Sequence, residues 1–253
     1  MKPRLSSTLV VFLLVLGVFA SPFSLGAQQE PEKPKPTSAV PAKPTVDIDE
    51  LVSECQQSVR GADYVGLVWW LPMQFWEESS RQSGTSGPES EEMLKGIAGY
   101  LSVAVVVAKV KGMEFSFVSE RDIRASIVLR DAAGKEYKPL EQVSLHAQVL
   151  ASVIRPLMSN LVGRLGENIT LLYFPAKNER GEAIADPLRS GNFAVVLKKI
   201  VGEAESVYEW RLPLTSLLPP KYCPTGKERV KANWLYCPWH GTKLDSPPDG
   251  SKP

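Results

Sequence analysis

Histidine is nearly absent from this chain: its 253 residues include two, His146 and His240. General acid–base catalysis and activated nucleophiles draw on histidine more than on any other side chain, so this scarcity removes most such constellations. No Gly-x-Ser-x-Gly turn occurs, no cysteine–histidine pair stands in a nucleophile context, and no glycine-rich phosphate loop is found. The acids are dispersed: Asp122, Asp131, Asp186 and Glu209 fall at expected turns or strand ends, and nothing in the sequence pairs them. These absences point away from an enzyme.

An excess of one charge is missing too. The chain has 29 Lys and Arg against 28 Asp and Glu, a formal charge of +1. Without residues 1–27, which hold Lys2 and Arg4 and no acid, the count is 27 against 28 and the charge is −1. A near-neutral chain predicts no electrostatic footprint for nucleic acid or for an anionic membrane surface. Long apolar runs are confined to the N-terminus. "YLSVAVVVAKV" (residues 100–110) falls well short of the roughly 20 residues a membrane span needs and predicts a buried strand.

The N-terminus itself is informative. "MKPR" is basic, "STLVVFLLVLGVFA" is apolar and "SPFSLGA" is rich in small residues, which predicts a secretory signal peptide over residues 1–27 with cleavage after Ala27, Ala20 being second choice. Gln28 stands where a lipoprotein box requires cysteine, so no lipid anchor is expected. The predicted product is a soluble exported chain, periplasmic or extracellular, with no transmembrane segment. Residues 28–46 hold five prolines and almost no large apolar side chain, the composition of an extended disordered linker. A disordered tail is expected over 246–253.

Between these ends the pattern is mainly β. An amphipathic helix is predicted from Asp47 to Gly61, with Leu51, Val52, Cys55 and Val59 inward and Cys55 a small core residue. A strand runs to Leu71, where Pro72 interrupts it. Trp69, Trp70, Phe75 and Trp76 follow one another closely. Core packing is the favoured reading for them, with Trp69 and Trp70 on opposite faces of a strand and Phe75 and Trp76 closing an edge; the alternative is a binding surface for a sugar, a peptide or a membrane interface. Residues 79–92 read as a mobile loop, 91–101 as a short helix, and 102–110 as a central strand. Strands are expected near 113–118, 127–130 and 170–176, and "NFAVVLKKIV" with "VYEWRLPL" as a closing hairpin. One long helix interrupts them, its stripe formed by Leu145, Val149, Leu150, Val153, Leu157, Met158 and Leu161, with Pro156 inside. Together these predict an α+β, mainly β domain over 47–219: an immunoglobulin-like β-sandwich covered by a helix.

The most chemical stretch is the last. Three cysteines, Cys55, Cys223 and Cys237, permit one disulfide and one leftover thiol in an oxidising compartment. Residues 220–245 contain Cys223-Pro-Thr-Gly and, further on, Cys237-Pro-Trp-His240-Gly-Thr-Lys-Leu. This stretch resembles a zinc ribbon, in which two Cys-Pro-x-Cys-Gly knuckles face each other. The second knuckle matches, with His240 in a cysteine's place. The first departs: Thr225 alone separates Pro224 from Gly226, as if one residue and the fourth ligand were lost. The resemblance implies a zinc site on Cys223, Cys237 and His240, with Glu228 or a second chain completing the shell. It also implies the competing arrangement, a Cys223–Cys237 disulfide, because ribbon knuckles bring their leading cysteines together.

"VWWLPMQFWE" (residues 68–77), "LLPPKYCP" and "YCPWHGTKL" also make the chain similar to a group of uncharacterised exported bacterial proteins; that resemblance implies no activity. The expected function is a non-catalytic binding or structural module of the bacterial envelope, holding a protein or a glycan and no nucleic acid, with no cofactor unless zinc. The alternative is a metal-dependent enzyme or zinc-binding protein that uses the Cys/Cys/His cluster.

Overall fold

A computed structural model describes residues 46–244, apart from 62, 85–86, 113, 163 and 201–203. The expected signal peptide, all but the last residue of the expected linker, and the expected tail lie outside the described residues. In chain order the elements are α1 (Ile48–Cys55), β1 (Gln56–Gly61), β2 (Tyr64–Leu71), α2 (Met73–Gln82), α3 (Pro88–Ile97), β3 (Tyr100–Lys111), β4 (Glu114–Phe117), α4 (Glu120–Ser126), β5 (Ile127–Arg130), β6 (Glu136–Tyr137), α5 (Leu145–Val162), α6 (Arg164–Glu167), β7 (Thr170–Pro175), β8 (Gly191–Lys198), β9 (Glu205–Leu212), a 3-10 turn (Thr215–Leu217), β10 (Lys221–Tyr222) and β11 (Arg229–Val230).

All strand pairs are antiparallel. The first sheet runs β1-β2-β3, and one edge of β3 is then shared: β7 pairs with Tyr100–Val105 and β4 with Ala108–Lys111. The second sheet runs β6-β5-β8-β9, and β10 with β11 make a small hairpin. The protein is thus mainly antiparallel β with several helices, an α+β fold. β3 is buried without a break from Leu101 to Ala108. A Val-rich run is the sequence form of a strand covered on both faces. β9 instead alternates, Tyr208 and Trp210 buried against exposed Glu209 and Arg211.

One core joins both large sheets. Trp70, on β2, meets Phe193 of β8 edge-on at 4.7 Å and Trp210 of β9 at 6.4 Å, while Phe193 and Trp210 stack at 5.1 Å. Trp69 meets Phe75 of α2 at 5.3 Å, and Phe75 meets Trp76 at 5.1 Å. Trp69, Trp70, Phe75 and Trp76 are 6%, 2%, 6% and 5% exposed, so all four pack in the core, as the favoured reading has it, and the alternative of a binding surface is corrected. The reason lies in α2, a helix where a strand edge and a loop are expected. Pro72 ends β2 at φ −66°, and the helix that starts at Met73 turns Phe75 and Trp76 inward.

Two further expectations are corrected. The N-terminal helix stops at Cys55, and Gln56–Gly61 becomes a strand because six positions of it find partners on β2. Tertiary pairing overrides the helical spacing of Val59. Of the stripe expected on α5, Leu150 and Met158 are buried, beside Ala147 and Ile154, whereas Leu145 is exposed; the side chains of Val153, Leu157 and Leu161 lie outside the description. Tyr173 of β7 donates its hydroxyl to the Ala147 carbonyl at 2.9 Å, which fixes the helix over that strand. α5 runs through Pro156.

α1 anchors the segment beyond the sheets. The Asp47 carboxylate caps it, accepting from the Asp49 and Glu50 amides at 3.1 Å each. Cys55 is buried at its end, and burial, together with the neighbouring Glu54 carboxylate, pushes its thiol far up. That makes it an inert core group. Glu54 accepts from the Thr215 amide at 3.1 Å, the Ser216 amide at 3.0 Å, the Ser216 hydroxyl at 2.7 Å and the Thr215 hydroxyl. Among the described residues no helix is long and apolar enough to cross a membrane.

Trp70 fills the space between the sheets, so Trp70→Ala is expected to cost about 3–5 kcal/mol. Chemical denaturation read by circular dichroism measures the loss; an effect under about 1 kcal/mol would mean that the sheets do not depend on this contact.

Candidate metal centre

After the 3-10 turn the chain forms two turns with the same hydrogen-bond pattern. In the first, the Cys223 amide donates to the Glu228 carbonyl at 2.9 Å, the Lys227 amide donates to the Cys223 carbonyl at 2.9 Å, and Lys227 has φ 61°. In the second, the Cys237 amide donates to the Thr242 carbonyl at 2.8 Å, the Gly241 amide donates to the Cys237 carbonyl at 2.8 Å, and Gly241 has φ 63°. Counting from each cysteine, every bond and the left-handed residue fall at the same offset. Pro224 therefore matches Pro238, Gly226 matches His240, and Lys227 takes the left-handed place of Gly241. The apparent loss of a residue from the first turn is corrected: its length is intact, and its second ligand position holds glycine.

What fills that position is Glu228. A Cβ built on Gly226 would lie 2.0 Å from Glu228 Oε2 and 2.5 Å from His240 Cε1. The absent side chain leaves room for a carboxylate that reaches back from two residues on. Four donor atoms from Cys223, Glu228, Cys237 and His240 consequently lie within 4.8 Å of one another. His240 Nδ1 is 3.5 Å from Cys223 Sγ, 3.6 Å from Cys237 Sγ and 3.1 Å from Glu228 Oε1, and Cys237 Sγ is 3.1 Å from that same oxygen. Tetrahedral zinc, with bonds of about 2.3 Å to sulfur and about 2.0 Å to nitrogen or oxygen, needs edges of roughly 3.5 Å for S···N and S···O and roughly 3.3 Å for N···O. These four edges match or fall a few tenths short, and the two edges from Cys223 Sγ to Cys237 and to Glu228 lie within 4.8 Å. The donor set itself, two thiolates, an imidazole and a carboxylate, is one that zinc accepts.

The surroundings are graded. Cys223 and Cys237 are 0% and 1% exposed, over a cluster of Val230, Leu244 and the partly buried Trp234. The His240 and Glu228 side chains face outward, half-buried. The Gly226 amide points at Cys223 Sγ at 3.5 Å, a donor toward the sulfur, and Thr225 and Thr242 join hydroxyls at 2.8 Å across the two turns. Without metal, burial and then the Glu228 carboxylate raise the Cys237 thiol, while the backbone amide of Glu228 and then that thiol lower the Glu228 carboxyl. The Cys237 thiol donates to Glu228 Oε1, in the place where a cation's charge would act.

All three cysteines are free thiols, so the Cys223–Cys237 disulfide is corrected: each sulfur faces His240 Nδ1. The predicted trio of Cys223, Cys237 and His240 is brought together, and Glu228 joins it. His146 is remote in role: its Nε2 sits 3.9 Å from Glu92 Oε1, and its ring packs on Gly96.

Glu228→Ala is expected to lower zinc affinity by roughly tenfold or more, since outer-shell losses alone reach that range. Gly226→Cys combined with Glu228→Ala puts a thiolate in the vacated position and is expected to recover affinity. Competition titration with a chromogenic chelator checks both; equal affinity of Glu228→Ala and the parent would remove the carboxylate from the site. No protein-family model matches this chain, and neither does any curated protein or solved structure.

Proposed function

We propose that residues 221–244 form a ribbon-like zinc knuckle pair that fixes the C-terminal segment to a sandwich-like module, and that the chain is an exported, non-catalytic binding or structural protein of a bacterial envelope. The observation that carries this reading is the convergence of four donors from two turns of identical pattern. With all four positions supplied by protein, the site is closed in the manner of structural zinc, whereas catalytic zinc keeps a position open for water or substrate.

Stability argues the same way. The apolar cluster under the turns consists of Cys223, Val230, Cys237 and Leu244 with Trp234 alongside. Segments below about 40 residues rarely hold together on so small a core. Structural zinc supplies an apparent 10–16 kcal/mol or so in comparable small sites. The sandwich reading is supported by the Trp70 contacts across the two sheets, and export by the basic and apolar opening of the sequence.

The protein purified without metal-affinity steps is expected to carry about one zinc per chain and, after unfolding in chelator, to titrate three thiols. One thiol and no metal would overturn the reading. Zinc uptake displaces protons from the cysteines, and the raised Cys237 thiol holds its proton more firmly than a free cysteine. Affinity therefore rises with pH and zinc is lost as pH falls; a pH series of chelator competitions measures the slope.

A further inference from the structure

The net charge of the whole chain conceals a local imbalance. Residues 221–244 contain Lys221, Lys227, Arg229, Lys231 and Lys243 against one acid, Glu228, which is engaged in the donor cluster. From Arg229 to Leu244 there is no carboxylate at all. The same stretch carries exposed apolar bulk. Leu235, Tyr236 and Trp239 are 69%, 58% and 65% exposed, three of the ten large apolar side chains exposed among the described residues, gathered within five positions. The turn that presents them is the one that carries Cys237 and His240. Tyr236 bridges to Lys243 across it, and the Trp239 ring leans on Trp234 at 5.9 Å.

Single exposed apolar residues are ordinary, but a compact group rimmed by cations marks a contact surface. A surface that takes Trp, Tyr and Leu and also attracts lysine has to be apolar and negative together. Tryptophan and tyrosine rings settle at the boundary between lipid headgroups and acyl chains, and lysines add attraction to anionic headgroups. We propose that the loop from Leu235 to Trp239 is a peripheral anchor for an anionic lipid surface, with Lys231 and Lys243 as its electrostatic half. The proposal rests on the zinc reading insofar as the metal holds Cys237 and His240, and so the loop, in one shape. Apolar insertion and basic attraction act as the paired signals that reversible membrane binding requires.

The test uses the chain from Gln28 onward, which keeps every described residue and omits the apolar N-terminal run that would itself enter lipid. Vesicles of mixed phosphatidylcholine and phosphatidylglycerol, and of phosphatidylcholine alone, are sedimented with the zinc-loaded protein at low and high salt. Binding is expected to the mixed vesicles, to weaken with salt, and to fall roughly tenfold in Trp239→Ala, whose removal forfeits one large inserted side chain. Lys231→Glu with Lys243→Glu is expected to abolish the preference for anionic vesicles. Zinc content is measured on each sample, which separates the two readings. Stoichiometric zinc without vesicle binding overturns the anchor and leaves the zinc site standing. Vesicle binding that Trp239→Ala abolishes, in protein without zinc, upholds the anchor and removes the metal. Unchanged binding by Trp239→Ala, or tighter binding to a single-stranded oligonucleotide than to vesicles, also overturns the anchor.

Discussion

The fold depends on one indole. Trp70 stands on β2 and reaches the stacked pair of Phe193 and Trp210 on the opposing sheet. Its neighbour Trp69 meets Phe75 of α2. Two adjacent residues of one strand thus tie that strand to the second sheet and to a helix, because successive side chains of a strand leave by opposite faces. The aromatic density that could have served a ligand is used up in holding layers together. Large rings bury more area than any other side chain and favour the edge-on and offset contacts seen here.

Much of this was legible in the sequence wherever one periodicity acts alone. The Val-rich β3, the alternating β9 and the β8–β9 hairpin all read correctly because burial on two faces, or on one, leaves a distinct pattern. Sequence and structure part where pairing decides the outcome. Val59 fits a helix and lies in a strand because β2 offers a partner. Phe75 and Trp76 fit a strand and lie in a helix because Pro72 resets the chain first. Leu145 has the right character for the α5 stripe, but the inward face is set by Ala147, where the helix crosses Tyr173.

The candidate site was half legible. Cysteine, proline and histidine at short spacing marked Cys223, Cys237 and His240, and Glu228 stood among the groups able to complete them. Its position could not be read from spacing, because a glycine at the ligand position looks like a deletion in one dimension. Only the matching backbone bonds of the two turns show that nothing is missing but a side chain. A carboxylate two residues further on supplies the donor. The site offers two sulfurs where an all-cysteine knuckle pair offers four.

α1 links all of this mechanically. Glu54 holds the Thr215–Leu217 turn by four hydrogen bonds, and Glu50 pairs with Arg229 at 3.3 Å, at the base of the cysteine turns. Both acids lie on one short helix at the start of the described chain. A pull applied ahead of Asp47 therefore reaches the C-terminal turns through these polar contacts as well as the first sheet through the backbone that joins Cys55 to β1. The beginning and the end of the described chain are thus joined by side-chain contacts in addition to the core between them.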